Sequence, residues 1–272
     1  MRHLKSAGPS ACAQMIDTIT PLLITLDEAP NIARTLEKLS WARRIVVVDS
    51  GSVDGTLDML ARYPHVDRFN RPFDSFAEQC NFGLAQIHTG WVLSLDADYE
   101  LSDELVRELS DLQKPETVAG FRASFVYRIY GRPLRGTLYP PRIVLHRVQG
   151  AHYENEGHGH RVTLSGEVRA LRGVIYHDDR KPLSRWLASQ QRYAKIEANY
   201  LLTAASQSLS FSDRIRRMAW PAPMLVFPYV LIAKRCVFDG WRGWYYSLQR
   251  LLAEILIALE IMDQRLRRGS RS

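Results

Sequence analysis

Apolar and polar positions alternate in blocks through the first hundred residues of this chain. Short apolar runs at 19–26, 45–48 and 91–95 have the length and β-branched content of buried strands, and a helical pattern follows each run. The predicted helices cover 30–39, 54–62, 75–88 and 102–112. Strands that alternate with helices in this way predict a parallel sheet covered on both faces, and therefore an α/β fold.

Each predicted strand ends in acidic residues, which are Asp27 with Glu28, then Asp49, then Asp96 with Asp98. Ligands of open parallel sheets bind beyond the carboxyl ends of the strands, so we expect these side chains to meet at one edge. Asp96 and Asp98 are two residues apart and share a face of an extended segment, where their oxygens suit Mg²⁺ or Mn²⁺. Taken alone, this pair fits equally well an acidic turn before a helix.

The segment that follows the second strand reads Asp-Ser-Gly-Ser from Asp49. Gly51 permits a tight turn and the close approach of a ligand. Asp49 is suited to accept hydrogen bonds from the polar groups of a nucleoside. The alternative is an ordinary turn in which Ser52 or Asp54 caps the next helix.

The predicted secondary structure changes twice in the remaining chain. Residues 117–178 contain short β-rich runs broken by glycine and proline, which predict antiparallel strands with hairpin turns. A long helix is predicted over 183–206 and another over 248–266. Between them, residues 220–233 are almost wholly apolar but contain three prolines and fall short of the roughly 20 residues of a spanning helix.

Composition adds a basic, aromatic C-terminus to this picture. The net charge is +7, and the excess of basic residues thickens toward the end of the chain beside Trp241 and Trp244. We expect this extension to lie in a membrane interface without spanning it, and the alternative is a pair of helices packed on the rest of the protein. No signature of a nucleic-acid-binding module is present, so no nucleic-acid partner is expected.

Three scattered cysteines form neither a zinc motif nor a disulfide framework, which fits a reducing cytoplasm. Residues 1–15 lack the apolar core of a secretory signal and are predicted to be a flexible tail.

Three segments in order carry a resemblance to a known family: ITLDEAPNI from Ile24, VVVDSGSVDGT from Val46 and LSLDAD from Leu93. In these the chain resembles inverting family 2 glycosyltransferases of the GT-A fold. A weaker similarity extends through FDGWRGWYYSLQRLLAE to the branch that makes lipopolysaccharide cores and other envelope glycans. The resemblance implies a Rossmann-like, mostly parallel sheet flanked by helices, with a C-terminal helical membrane-associating extension. The expected domains are a tail at 1–15, a catalytic domain at 16–182 with its nucleotide-binding half at 16–115 and acceptor half at 116–182, and the helical extension at 183–272.

The resemblance also implies roles for individual residues. Thr25 and Glu28 would flank the base or ribose of a nucleotide sugar, Asp49 would hold the base edge, and Gln79 and Asn81 would face the donor. Asp96 would contact the ribose or sugar, Asp98 would bind the Mg²⁺ or Mn²⁺ that bridges the diphosphate, and His177 is placed like a late histidine that completes such a metal site. Arg142 precedes the apolar run 143–145 and is a candidate to meet phosphate, although arginines are more often solvated.

An inverting transfer needs a base that takes the proton of the acceptor hydroxyl. The candidates lie in the segment YENEGHGH from Tyr153, where related enzymes often carry a His-Glu pair. Glu156 is the first choice, followed by His160 and Glu154. For each of them the alternative is a polar loop residue without a role as the base.

The expected function is metal-dependent transfer of a hexose to an envelope glycan or a lipid-linked acceptor. The expected donor is a nucleotide sugar, with UDP as the nucleotide. The enzyme would be peripheral on the cytoplasmic face of the inner membrane and would dock through its C-terminal helices. A sugar nucleotidyltransferase is the alternative enzyme, but that class opens with a glycine-rich loop and residues 19–30 contain no glycine. A catalytically inactive scaffold of the same fold at the membrane surface is the non-enzyme alternative.

Overall fold

A computed structural model describes residues 15–113, 117–156 and 159–269 of the chain. Its strands are β1 (Ile19–Thr25), β2 (Ile45–Asp49), β3 (Val66–Asn70), β4 (Trp91–Asp96), β5 (Tyr99–Leu101), β6 (Val118–Ile129), β7 (Arg132–Pro133), β8 (Arg142–Arg147), β9 (His152–Glu156), β10 (Gly159–Thr163) and β11 (Glu167–His177). Its α-helices are α1 (Ile32–Glu37), α2 (Thr56–Leu60), α3 (Phe76–Ala85), α4 (Asp103–Asp111), α5 (Leu183–Thr203), α6 (Phe211–Arg217), α7 (Pro221–Pro228) and α8 (Trp241–Gly269). Short 3₁₀ turns cover Met15–Thr18 and Cys236–Asp239, and a π-helical turn covers Tyr229–Ala233.

The predicted parallel sheet is present. Strands β3, β2, β1 and β4 lie side by side and are all parallel. Their register pairs Thr25 with Asp49 and Ile24 with Asp96, so the acidic strand exits do meet at one edge. The sequence did not point to β3, because its Val-Asp-Arg-Phe-Asn pattern is half polar, as suits a strand at the sheet edge.

The second half of the sheet corrects the expectation of antiparallel hairpins over 117–178. Strand β8 is antiparallel to both β4 and β6, and β9 with β10 forms a hairpin, but β11 runs parallel to β6. Turn residues predict where strands end and not which neighbour a strand will join, so the parallel pairing was not readable from them. Because β11 also pairs antiparallel with β5, His177 lies opposite Tyr99 and close to the end of β4.

Alternate residues of the central strands are buried on opposite faces of the sheet. Ile45 and Val47 pack in the cluster that contains helices α1 and α4, whereas Val46 and Val48 pack in the cluster that contains α3 and the β9–β10 hairpin. Helix α3 approaches the sheet very closely at Gly83, where a Cβ would lie 2.3 Å from a methyl group of Leu22. Both faces of the sheet are therefore covered, as expected for a parallel arrangement.

The C-terminal helices pack on one another and on the sheet. Ala198 and Leu201 of α5 are buried with Ala258 and Ile261 of α8, and the ring of Tyr246 on α8 lies 4.8 Å from that of Tyr127 on β6. Among the described residues, none of the helices is both long enough and apolar enough to cross a membrane. The predicted helix over 248–266 lies inside the longer α8, and the apolar stretch 220–233 forms α7 and the π-helical turn.

Two features of the sequence fall partly outside the description. The predicted tail contributes only Met15, which is buried, while residues 1–14 with Cys12 lie outside the described residues, as does His158. Cys80 and Cys236 are buried free thiols.

Candidate active site

Asp49 organises the turn that follows β2. Its carboxylate is buried and accepts four hydrogen bonds, which come from Thr25 Oγ1 (2.9 Å), Ser52 Oγ (2.5 Å) and the backbone N–H groups of Gly51 and Ser52 (2.9 Å each). Gly51 has φ +97°, a left-handed conformation that glycine adopts without a Cβ clash. The segment therefore forms a tight turn, but neither Ser52 nor Asp54 caps α2, whose N-cap is Gly55 without a side-chain cap hydrogen bond. Contact of Thr25, Gly51 and Asp49 with a nucleotide stays a prediction.

The β1–α1 loop is tied to this turn by side chains of both. Asp27, with φ +54°, donates its backbone N–H to Ser52 Oγ and accepts from the backbone N–H of Val53. Asp54 accepts from the backbone N–H of Ala29 and from Thr56, so it serves the local structure at the start of α2. The two loops consequently form one preorganised wall at the sheet edge.

Gln79 and Asn81 hold neighbouring segments in place. The buried Gln79 donates to Ser50 Oγ and to the backbone oxygens of Arg71 and Pro72. Asn81 makes a two-way bridge to the backbone of Tyr153, at 2.9 and 3.0 Å, and so fixes β9 against α3. The structure gives both side chains positioning roles, and the donor contact that the resemblance implies remains a prediction.

Asp98 and His177 meet at the centre of the edge. Asp98 follows β4, His177 ends β11, and Oδ2 of Asp98 lies 3.1 Å from Nε2 of His177. The histidine ring packs against Tyr99, Tyr127 and Tyr139. Within the described residues, Nδ1 of His177 is buried without a hydrogen-bond partner.

Charges shift the pKa values of this pair in opposite directions. Burial alone would raise the pKa of Asp98, but His177 and then Lys181 outweigh it and hold that pKa at about 2. Burial alone would lower the pKa of His177, and Asp98 outweighs it and raises that pKa. Asp98 is therefore an ionised carboxylate, and its negative charge stabilises the protonated form of the His177 ring beside it.

The pair fits a divalent cation as two of its ligands. Two ligand atoms that are adjacent in an octahedron with bonds of about 2.1 Å lie about 3 Å apart, which matches the observed 3.1 Å. No group of three or more His, Cys, Asp or Glu side chains with the arrangement of a metal site occurs in the described ranges. The remaining ligands would thus be water and phosphate oxygens, as is usual for Mg²⁺.

Glu28 lies in the same region and is engaged by two neighbours. Its Oε1 lies 2.5 Å from Nζ of Lys181, and its Oε2 accepts from Asn31 at 2.9 Å. Burial raises the pKa of Glu28 to about 8, although Lys181 opposes that shift. Burial lowers the pKa of Lys181, but Glu28 and Asp98 outweigh that effect and raise it. Lys181 is therefore a half-buried cation. Nothing local in the sequence distinguishes it within the run Asp178-Asp179-Arg180-Lys181.

Asp96, Arg142 and His160 form the side of the site nearest the hairpin. Burial lowers the pKa of His160, Asp96 opposes that shift and Arg142 adds to it, so both charges lie close enough to act on the imidazole. The guanidinium of Arg142 stacks 4.9 Å from the ring centre of Tyr139. Tyr139 in turn hydrogen bonds with Tyr99 through their hydroxyls, which makes it a second site residue that the sequence did not reveal.

The hairpin separates the three candidate bases by face. Tyr153 and Val162 are buried against α3, and His160, paired with Asn155, shares that inner face. Glu154 and Glu156 are exposed on the opposite face, where Glu156 forms an ion pair with Arg161 at 3.0 Å. The structure thus places His160 within electrostatic range of Asp96, whereas the first choice from the sequence, Glu156, is exposed to solvent.

The sheet order and the acidic edge with its Asp–His pair are those expected of a glycosyltransferase of the GT-A class. The chain belongs to glycosyl transferase family 2, whose model matches residues 22–172. It is therefore a glycosyltransferase, as the three sequence segments indicated.

Curated relatives support this membership. An uncharacterized glycosyltransferase of Rickettsia felis (strain ATCC VR-1525 / URRWXCal2) is 32% identical over 276 residues, covering 93% of this chain and 92% of the relative. The lipopolysaccharide core biosynthesis glycosyltransferase LpsC of Rhizobium meliloti (strain 1021) is 34% identical over 134 residues, which is 47% of this chain and 48% of LpsC. The match to LpsC thus spans about half of each protein.

Solved structures show a looser likeness. The crystal structure of S. aureus TarS 1-349 in complex with UDP-GlcNAc aligns with 92% of this chain and 92% of its own, at 13% identity and a TM-score of 0.44. That of GalNAc-T7 with UDP, GalNAc and Mn2+ aligns with 66% of this chain and 47% of its own, at 12% identity and a TM-score of 0.44.

Proposed function

We propose that this glycosyltransferase moves a hexose from a nucleotide sugar, with UDP as the expected nucleotide, to a cell-envelope glycan or a lipid-linked acceptor. The observation that carries the proposal is the Asp98–His177 pair, which joins the segment after β4 to the end of β11. The similarity to a relative described as a lipopolysaccharide core biosynthesis glycosyltransferase supports the acceptor class.

The two-loop wall would receive the nucleoside. Thr25 and Glu28 end and follow β1 beside the Asp49 turn, and the left-handed Gly51 leaves open space where a Cβ would lie. We assign Asp96 to the ribose or sugar because it ends β4 between this wall and Asp98. Gln79 and Asn81 act here mainly by holding Ser50 and β9, and Arg142 supplies positive charge for a phosphate.

Asp98 and His177 would hold Mg²⁺ or Mn²⁺. A divalent cation bound there would stabilise the negative charge that develops on a diphosphate leaving group. Lys181, held by Glu28, lies on the same side within electrostatic range of Asp98. These residues together favour departure of a nucleoside diphosphate.

We assign the proton acceptor to His160 ahead of Glu156 and Glu154. In an inverting transfer the acceptor oxygen attacks the anomeric carbon, the bond from that carbon to the diphosphate breaks, and the hydroxyl proton passes to the base. Because burial lowers the pKa of His160, its imidazole is neutral near pH 7 and can accept that proton. Both glutamates are exposed and lie on the face of the hairpin opposite to His160.

The C-terminal helices would dock the enzyme to the cytoplasmic face of the inner membrane. Trp220 and Met224 are 61% and 69% exposed although both are strongly apolar. Beside them opens a cavity of about 780 Å³, lined by Ser206, Gln207, Arg214, Arg217, Met218, Trp220 and Arg265. Exposed aromatic and apolar side chains beside arginines suit the interface of an anionic membrane.

Co-sedimentation with vesicles tests the docking. The full chain should sediment with phosphatidylglycerol vesicles and should stay in the supernatant with phosphatidylcholine vesicles. Trp220→Ser and Arg214→Gln should each weaken retention, whereas Arg68→Gln, on the far edge strand β3, should not. Equal retention by both kinds of vesicle, or retention unaffected by either variant, would contradict docking through this surface.

A panel of nucleotide sugars tests the reaction. The purified chain should release nucleoside diphosphate from one UDP-hexose in the presence of Mg²⁺ or Mn²⁺, faster when a membrane lipid extract supplies the acceptor. Binding of UDP without turnover of any sugar would favour the inactive scaffold. Release of pyrophosphate from UTP and a sugar phosphate would favour a nucleotidyltransferase.

A further inference from the structure

A second cavity opens between the β7–β8 loop and the segment that precedes α8. Its volume is about 440 Å³, within the roughly 300–1,000 Å³ of ordinary ligand pockets. We name it the basic pocket, and its polar lining comprises Ser124, Arg135, Thr137, Tyr139, Lys234 and Arg235.

The basic pocket adjoins the candidate active site through Tyr139. The ring of Tyr139 lies 5.2 Å from that of His177 and under the guanidinium of Arg142. Ala123 pairs with Arg142 across β6 and β8, so Ser124 is the next residue toward the ligand edge of the sheet. A sugar held in the basic pocket would therefore lie next to the Asp98–His177 pair, where an acceptor must meet the donor.

The pocket concentrates positive charge with little compensation. Among the described residues, Arg135 is the one cation of its lining for which an ion pair is found, with Asp239 at 3.5 Å. Nζ of Lys234 lies 5.6 Å from the ring centre of Tyr229 instead of beside a carboxylate. Like charges gathered in one cavity repel one another, so an anion bound among them would be stabilised.

The walls of the pocket are fixed to each other. A Cβ on Gly136 would lie 2.4 Å from the backbone oxygen of Lys234, so the loop and the C-terminal segment touch along their backbones. The backbone N–H of Arg135 donates to Asp239, and that of Leu138 donates to the Tyr246 hydroxyl. Arg235 has φ +61°, a left-handed conformation that is strained for a residue with a Cβ. The backbone segments that carry the cations are thus fixed relative to each other before any ligand arrives.

We propose that the basic pocket binds an anionic sugar of the acceptor, one that carries phosphate or carboxylate, so that the acceptor is an acidic glycan. The proposal rests on the proposed function, because the pocket becomes an acceptor site only if a donor binds beside it. Lys234 and Arg235 are the binding residues, and Tyr139 separates the acceptor from the donor side.

Calorimetry on the full chain tests the proposal with four probes: glucose 6-phosphate, glucuronate, glucose, and UDP with Mn²⁺. The phosphate or the carboxylate sugar should bind at least about tenfold more tightly than glucose, since a charge-assisted hydrogen bond contributes about that factor. Arg235→Asn and Lys234→Gln should each remove about tenfold of this preference and leave UDP binding unchanged. Asn tolerates the left-handed backbone at position 235, and Arg68→Asn on β3 is the matched control.

The outcomes separate this proposal from the proposed function. Intact UDP binding without any preference for an anionic sugar, or with a preference that both variants keep, would overturn the pocket alone. Weaker UDP binding in Arg235→Asn would overturn it as well, because the pocket would then belong to the donor diphosphate. Failure of the wild type to bind UDP would contradict the proposed function and remove the acceptor assignment with it.

Discussion

The carboxyl ends of β1 and β2 and those of β4 and β11 carry similar acidic residues. These residues differ in how many hydrogen bonds their carboxylates accept. Asp49 has all four of its acceptor positions filled by the turn that it organises. Asp98 keeps one side-chain hydrogen-bond partner in the described part of the chain, His177, whose own Nδ1 is buried and unpartnered. A saturated carboxylate builds a loop, whereas an unsaturated one is available to a ligand. From this difference we expect Asp49 to act on stability and Asp98 to act on ligand binding.

The largest effect should come from Asp98. Asp98→Asn removes a charge and a ligand atom from the proposed metal pair, so turnover of the nucleotide sugar should fall by about 10³-fold or more, with little change in the melting temperature. Steady-state kinetics and thermal unfolding measure the two effects. Asp58→Asn, on the exposed side of α2, is the control, and turnover within about fivefold of wild type in Asp98→Asn would break the comparison.

Asp49 should behave in the reverse way. Asp49→Asn places an NH₂ group against donors that need an acceptor, so the free energy of unfolding should fall by about 2–4 kcal/mol. Urea denaturation measures it, again beside Asp58→Asn. An unchanged stability together with a loss of UDP affinity would show that Asp49 contacts the nucleotide directly and that the two edges do not differ as argued.

The hairpin offers a smaller test of the same distinction. His160→Gln should lower kcat by about 10²-fold, because it removes a group placed to take the acceptor proton. Glu156→Gln, on the solvent face, should leave kcat within about threefold. A larger loss in Glu156→Gln than in His160→Gln would restore the glutamate as the base.

The smallest effect concerns a histidine whose ring is satisfied on both sides. His146 is buried, with Nδ1 at 2.8 Å from the backbone oxygen of Arg147 and Nε2 at 2.7 Å from the Tyr153 hydroxyl. Burial lowers its pKa to about 4, below the unfolded value near 6.5. The folded state then binds fewer protons than the unfolded state, so its stabilising contribution is present above pH 6.5 and is lost as the pH falls toward 4.

Denaturation at several pH values measures this contribution. Between pH 7.5 and pH 5 the wild type should lose about 2 kcal/mol through His146 alone. His146→Gln should flatten this part of the profile, although it is less stable at pH 7.5. A slope that survives the substitution would assign the pH dependence to other groups.

The parallel half of the fold was predictable from the chain alone. The apolar runs of β1, β2 and β4 have the length of buried strands, and a helical pattern follows each run. The helix predicted over 102–112 is α4, and Ser102 caps it by accepting a hydrogen bond from the backbone N–H of Leu105. Strand β3 escaped notice because it is half polar, and β11 was placed wrongly because strand direction depends on register with a distant partner.

The acidic residues of the site were predictable from the sequence, but their hydrogen-bond partners were not. The sequence brought Asp98 and His177 together through the family resemblance, although 79 positions separate them. It did not reveal Lys181 or Tyr139, because both enter the site through the fold of distant segments. Nor did it show that Asp49 and Gln79 form their hydrogen bonds with neighbouring loops. The number of filled hydrogen-bond positions on a side chain depends on three-dimensional contacts.

The most direct test of the central claim is calorimetric titration of UDP into the protein with and without Mn²⁺. If Asp98 and His177 hold the cation, Mn²⁺ should strengthen UDP binding to the wild type by about tenfold or more and should have little effect on Asp98→Asn. Equal strengthening in both proteins would contradict the claim, as would UDP binding to the wild type that does not respond to Mn²⁺.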